Sequence, residues 1–453
     1  MPDLNSEFLC VLEPDEKDWE QGLQWLDENE ERRLLFVNAE KEIRHPRAAS
    51  MAIDSPIQVE PLAKKTAWEA VFMKMKVMGG RGEFCLLFKK ELERFHRAAN
   101  LLLSDAADWG CGVARHAFLR GQRLVRQGMK LAGAFQKVPA IIVGAGPSLA
   151  KNGHFLAALR DRALILAGGA ALNGIQAEPH FAASIDKEAP YREFKRHPFF
   201  ETPFCFQSRM NPENLSLVHG EALLFPDSHF RFLGEGDPFE GGWTVGTFLT
   251  AIATLMGCDP IVFVGMDFCY EGERKYARGV GSGDPCLVET QTQDGRQVRT
   301  QNDWLMARDW MEEWARTHSG HTFINATEGG LGFSLPIREA RLREIPFVLR
   351  EDLRKAAHEA VMGLPFAEPF DWQRWRKELC RCSEKVNAAL FGKEEEWEGE
   401  SVYESLLLPL WQLWQPVFNR ALSSDPEPNK MEINQLLFFQ RVIQGHLDAT
   451  LLS

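Results

Sequence analysis

Between residues 138 and 350, short unbroken apolar runs alternate with stretches of helical spacing. The runs are "AIIV", "ALILA", "HFAASI", "TPFCF", "ALLF", "IVFVG" and "TFINA". A strand buried on both faces reads as a continuous apolar run, and an intervening helix returns the chain for parallel pairing. The pattern predicts an α/β fold, a Rossmann-like parallel sheet with helices on both faces. Residues 1–137 read as a mixed α/β and helical region. There "RRLLFVNAEK" and "SPIQVEPLA" are expected as strands, and 83–103 and 112–134 as long helices. Residues 351–453 carry amphipathic stretches at 371–390, 402–422 and 432–451, which read as a helical bundle. Domains are therefore expected at 1–137, 138–350 and 351–453.

Composition narrows the setting. A net charge of -12 argues against nucleic acid or an anionic membrane as the main partner. The nine cysteines follow no metal-ligand or disulfide spacing, so a reducing, cytoplasmic setting is expected. No apolar run approaches the roughly 20 residues of a membrane span, and the acidic start "MPDLNSEFLCVLEPDEKDWE" lacks signal-peptide patterning.

Candidate chemistry begins at "VPAIIVGAGPSLAKNG", where a strand runs into Gly144, Ala145, Gly146, Pro147 and Ser148 and then a helix. Glycines let a backbone approach a ligand closely, and a helix start offers N–H groups and a positive dipole end to a phosphate. A dinucleotide fingerprint needs a third glycine where Leu149 stands and a carboxylate after the next strand, which ends instead at Gly168 and Gly169. A Gly-Lys-Ser/Thr P-loop is absent too. Further polar residues fall where strands end, the edge at which open parallel sheets hold ligands. They are Asp186 in "FAASID", Gly242 and Thr244 with Gly246 ahead of an apolar helix, Asp267, Tyr270 and Tyr276 in "GMDFCYEGERKY", and Asn325, Thr327 and Glu328 in "TFINATEGG". "VETQTQDGRQVRTQ" alternates around Asp294-Gly295 and predicts a hairpin, read either as a lid or as a fixed ribbon. Arg115, Arg120, Arg123, Arg126 and Lys130 give the 112–130 stretch a basic face.

The segments "VGAGPSL", "FAASID", "GGWTVGTFLTAIATLMGCDPIVFVGMD" and "NATEGG", in this order, resemble the motility accessory factor family, which attaches nonulosonic (sialic-acid-like) sugars to flagellin. The same domain is similar to archaeal 6-hydroxymethylpterin pyrophosphokinases. More distantly it looks like bacterial sialyltransferases, whose Gly-Asn-Gly-Pro-Ser-Leu turn differs here at Ala145. The resemblance implies a nucleotide-binding role for Gly144, Gly146, Pro147 and Ser148, donor contacts from Thr244 and Gly246, and phosphate contacts from the Tyr270 and Tyr276 hydroxyls. Val245 stands where the sialyltransferases have serine, and no histidine lies between Tyr276 and His318, where they carry their general base. Asp186, Asp267 or Glu328 would then take that role.

The first expectation is a glycosyltransferase-like enzyme with a CMP-activated sugar donor, no required cofactor, and a protein (such as flagellin) or glycan as acceptor. The second is a pyrophosphokinase in which Asp186 and Asp267 anchor Mg²⁺ on ATP. The third is a binding or assembly protein without catalysis.

Overall fold

The protein is described by a computed structural model covering residues 5–105, 110–120, 124–186, 201–215, 217–234, 236–272, 288–350, 352–422 and 428–449. The chain forms two compact units, residues 1–109 with 383–442, and residues 110–382 with 443–453.

In the first unit four parallel strands, β1 Phe8–Leu12, β2 Arg33–Val37, β3 Ala48–Met51 and β4 Met75–Gly79, stand in the order β3-β2-β1-β4. Alternate side chains feed two cores: Phe8, Cys10, Leu12, Leu35 and Val37 enter one, Leu9, Val11, Leu34 and Phe36 the other. The expected strand in "RRLLFVNAEK" is β2, whereas "SPIQVEPLA" opens the helix Pro56–Glu69. Pro56 suits the first helical position, and the Gln58 side chain accepts the Ser55 N–H. Val59, Ala63 and Ala67 then recur every four residues on the buried face. The other N-terminal helical pattern is observed as Glu83–Asp105.

The three C-terminal helices are present as Trp372–Leu390, Leu408–Leu422 and Pro428–Ala449. Trp411 stacks near Phe418 and Phe438, with centroids at 5.1 and 5.5 Å, so these aromatics are core. Trp414 and Val417 pack against Val71, Ala99 and Leu103 of the same unit.

The second unit is built on a nine-stranded sheet. Its strands are β5 Arg126–Gln127, β6 Ala140–Val143, β7 Leu164–Gly168, β8 Phe181–Ser184, β9 Phe204–Gln207, β10 Ala222–Phe225 and β11 Ile261–Val264. After an antiparallel hairpin, β12 Val288–Gln291 and β13 Gln297–Thr300, come β14 Phe323–Asn325 and β15 Arg338–Glu339. The order is β15-β14-β11-β6-β7-β8-β9-β10-β5, parallel throughout. All seven apolar runs are strands of this sheet. Ile142, Leu166, Ala183 and Phe263 face one core while Ile141, Ile165, Ala182 and Val262 face the other, which is why the runs are unbroken.

The expected 112–134 helix is shorter, Cys111–Arg120. Arg126 instead enters the sheet edge, where its buried guanidinium pairs with Glu221 and donates to the carbonyls of Met362 and Leu364. Gly128 follows against Phe225, whose ring lies 2.3 Å from where a Cβ would stand. The basic face therefore does not continue to Lys130; Arg115 is exposed on the helix, and Arg123 lies outside the described residues.

Candidate functional site

Because all nine strands run one way, their carboxyl ends meet at one edge, and a cleft of about 230 Å³ opens there. Gly144, Ala145 and Gly146 line it after β6, and Gly168, Gly169 and Ala170 after β7. Asp186 follows β8, and Gly265, Met266 and Asp267 follow β11. Trp243, Thr244, Val245 and Gly246, at the start of the helix Val245–Leu255, close another wall, with Asp303 and Trp304 beyond. Three carboxylates border the cleft, and no lysine or arginine does among the described residues.

The glycine turn is tight for a different reason than the sequence suggested. A Cβ on Gly146 would lie 2.0 Å from Asp267 Oδ2 and 2.7 Å from the Gly265 carbonyl; one on Gly144 would lie 2.4 Å from that carbonyl. The N–H groups of Gly144 and Gly146 donate to Val264 and Gly265. Those of Ser148 and its hydroxyl go to Asp267, the hydroxyl at 2.6 Å. The first helix start is thus occupied by the protein's own carboxylate, and its helix, Leu149–Asn152, is only one turn long. Pro147 and Ser148 lie outside the cleft lining, Ser148 being buried. Burial raises the Asp267 carboxyl to about 6, against the opposing pull of Ser148 and Lys151.

The helix Val245–Leu255 is different. Thr244 caps it, its hydroxyl accepting from the Thr247 N–H while the Thr247 hydroxyl accepts from the Thr244 N–H. The N–H groups of Val245 and Gly246 have no partner among the described residues, and both residues line the cleft. This is the terminus with donors and dipole to spare for an anion. Gly168 is small because Val245 seats against it, 2.2 Å from an imagined Cβ.

The remaining expected residues build the walls. Asn325 donates to Glu339 and accepts the Thr327 N–H, and Thr327 accepts the Met266 N–H. Glu328, at φ 57, accepts from Leu342, and Gly330 and Leu331 pack on the Asp267 backbone. "NATEGG" is therefore a clamp on the Asp267 loop rather than part of the cleft lining. Gly242 is outside the lining too; it turns at φ 66, and its carbonyl accepts from Arg209. Tyr270 is buried, its hydroxyl 2.6 Å from Gln301 Nε2; Tyr276 lies outside the described residues. The Asp294-Gly295 hairpin forms as expected and is pinned by hydrogen bonds from Gln293 to Phe333 and from Thr300 to Phe268. It roofs a smaller cavity of about 160 Å³ that shares Asp267 with the cleft.

One cluster at the same edge escaped the sequence reading. Arg209, just past β9, lies 3.2 Å from buried Asp227, just past β10, and Asp227 Oδ1 lies 3.1 Å from His229 Nδ1. The imidazole is partly exposed, 6.5 Å between ring centroids from Trp243 of the cleft wall. Burial works to lower the His229 pKa, but the Asp227 hydrogen bond and charge carry it above the ordinary histidine value. No local motif announces this cluster; its only trace is a polar residue following each of two apolar runs.

Mg²⁺ needs several ionised oxygens. Among the described residues no three His, Cys, Asp or Glu side chains cluster as a metal site, and the Asp267 carboxyl already accepts from the Ser148 hydroxyl and N–H. Asp267, engaged in this way, is not a ready magnesium anchor, while Asp186 borders the cleft. No helix among the described residues is long and apolar enough to cross a membrane.

Residues 121–273 match the family described as 6-hydroxymethylpterin diphosphokinase MptE-like. No curated protein matches the chain. The structure of MAf glycosyltransferase from Magnetospirillum magneticum AMB-1 is similar at a TM-score of 0.60, over 98% of this chain and 79% of that one, with 15% identity. The family match over residues 121–273 and the shared fold both agree with the resemblance read from the sequence.

Proposed function

We propose that the protein is glycosyltransferase-like, its cleft taking a nucleotide-activated sugar and passing the sugar to a hydroxyl of a protein or glycan. In the finer reading the donor is a CMP-linked nonulosonic sugar. The observation that carries the proposal is the pair of helix-start amides of Val245 and Gly246, without partners among the described residues, on two residues that line a glycine-walled cleft at the strand ends. As the sugar–oxygen bond to the phosphate breaks, negative charge grows on the leaving group, and preorganised amides stabilise it there. The acceptor oxygen forms the new bond to the anomeric carbon, and its proton passes to Nε2 of His229, whose Nδ1 is held by Asp227. This assignment is preferred to Asp267 and Glu328, which are spent on Ser148 and Leu342, and leaves Asp186, at the cleft border, as the alternative base. Three bordering carboxylates favour a donor with a single phosphate over a triphosphate.

The MptE-like match supports a second reading, pyrophosphate transfer from ATP with Mg²⁺. Thermal-shift measurements with CMP, CTP and ATP, each with and without Mg²⁺, separate the two. Stabilisation by CMP without metal is the expected result, reaching about 2.7 kcal/mol at a hundredfold excess over Kd. A response to ATP only with Mg²⁺ moves the conclusion to the kinase, and no response to any nucleotide leaves a non-catalytic assembly protein. Gly246→Asp places a carboxylate at the helix start, where it suits the dipole but repels phosphate. The variant should stay folded and lose the CMP response; an unchanged response removes the site.

A further inference from the structure

The first unit contains a larger cavity, of about 730 Å³, at the amino-terminal ends of β1, β2 and β3 beneath the helix Leu408–Leu422. Its lining includes Arg33, Arg47, Lys65 and Arg420 against a single carboxylate, Glu69, in a chain whose net charge is -12. The guanidiniums are fixed by main-chain carbonyls. Arg33 donates to Glu30, Glu31 and Arg32, Arg47 to Leu26 and Asn29, and Arg420 to Glu69 and Val71. Carbonyls hold a guanidinium in place without cancelling its charge. Neither Arg33 nor Arg47 has a carboxylate within ion-pair distance among the described residues, and Glu69 lies 3.9 Å from Lys65. The like charges also feel one another: burial and Arg47 lower the Arg33 pKa, and burial and Arg33 lower that of Arg420 against a smaller opposing pull from Glu7.

We infer that this cavity is an anion site for a small molecule bearing two or more carboxylate or phosphate groups, gripped by Arg33, Arg47 and Arg420. Planar guanidiniums held in advance match either oxyanion, and a bound polyanion relieves their mutual repulsion. Trp68, Leu34 and Pro416 give such a ligand an apolar wall for its carbon skeleton. The inference is independent of the cleft, whose residues all belong to the other unit.

The test is calorimetric titration and thermal melting of the full chain with pyrophosphate and with citrate, against sodium chloride at matched ionic strength. Pyrophosphate binding alone points to a phosphate ligand, citrate binding alone to a carboxylate ligand, and either supports the site. Arg33→Gln should weaken that binding about tenfold or more. Gln415→Glu adds an internal counter-charge without a change of shape; it should raise the melting temperature of the free protein and weaken polyanion binding. Because this second variant keeps all three arginines, it stands as a test even where Arg33→Gln folds poorly. The inference is overturned if neither polyanion binds beyond the salt control, or if both bind Gln415→Glu as tightly as the wild type.

Discussion

The backbone N–H and the hydroxyl of Ser148 both donate to the carboxylate of Asp267, tying the turn after β6 to the loop after β11. Burial, opposed by this bond, sets the pH response of the cleft floor. Burial raises the Asp267 carboxyl to about 6 from an ordinary 3.8. Between those values the folded protein binds more protons at this group than the unfolded chain does. The group's contribution to stability is therefore full below about pH 4 and is lost as pH rises through 6. Asp267→Asn removes that dependence. Relative to wild type, its stability should improve by about 2–3 kcal/mol between pH 4 and pH 7. Denaturant titrations at several pH values read this directly, and parallel profiles for the two proteins would contradict it.

The turn glycines make a second prediction. Gly146→Ala drives a methyl group into Asp267 and the Gly265 carbonyl, and a backbone carbonyl in a buried turn bonded to the Gly146 N–H has little room to retreat. The expected loss is about 1–3 kcal/mol, typical of overpacking. Gly320, with nothing within 4 Å of an added Cβ, is the control and should tolerate alanine. Equal stabilities for the two variants in urea would show that the turn is not close-packed.

Much of this was legible in the sequence because the residues concerned are local or doubly buried. Seven strands of the second unit have apolar side chains on both faces, so their runs stand out. The two-residue edge strands, Arg126–Gln127 and Arg338–Glu339, are polar and leave no such trace. "SPIQVEPLA" looked extended because its buried residues begin with a β-branched valine, while the helix-defining spacing continues past the segment to Ala67. At the cleft, Gly144, Gly146, Thr244 and Asp267 were visible since strand ends converge in any parallel sheet. Which helix start is open was not, because the partner that closes the first one, Asp267, is 119 residues away from Ser148.

Tyr270 supplies a third prediction. Its hydroxyl meets Gln301 at 2.6 Å, and its ring lies 5.2 Å from Trp304. Tyr270→Phe removes one hydrogen bond of the buried Gln301 amide, costing about 1 kcal/mol. The thermal shift produced by CMP should be unchanged. A variant that keeps wild-type stability but loses the nucleotide response would return this phenol to the donor phosphate.

The His229 cluster yields the fourth. Asp227, Arg209 and Glu240 are the charged groups acting on the imidazole; burial lowers its pKa most, and the Asp227 hydrogen bond and charge, with Glu240, together outweigh burial and Arg209 and hold it above the ordinary value. A raised folded pKa means that this histidine adds stability below about pH 6.5 and loses that contribution as pH climbs through its own pKa. NMR titration should place the His229 pKa above 6.5 in wild type and lower it in Asp227→Asn. That substitution also removes a buried carboxylate 3.2 Å from the Arg209 guanidinium and is expected to destabilise the fold, so the titration belongs at low temperature. His229→Gln avoids the penalty and separates catalysis from folding. With a donor and acceptor in hand, it should slow transfer by about 10²–10⁴ and flatten the acidic limb of the rate profile while CMP still binds. A transfer rate unchanged in His229→Gln would leave the proton to another group, and the dyad would then be an anchor between the ends of β9 and β10.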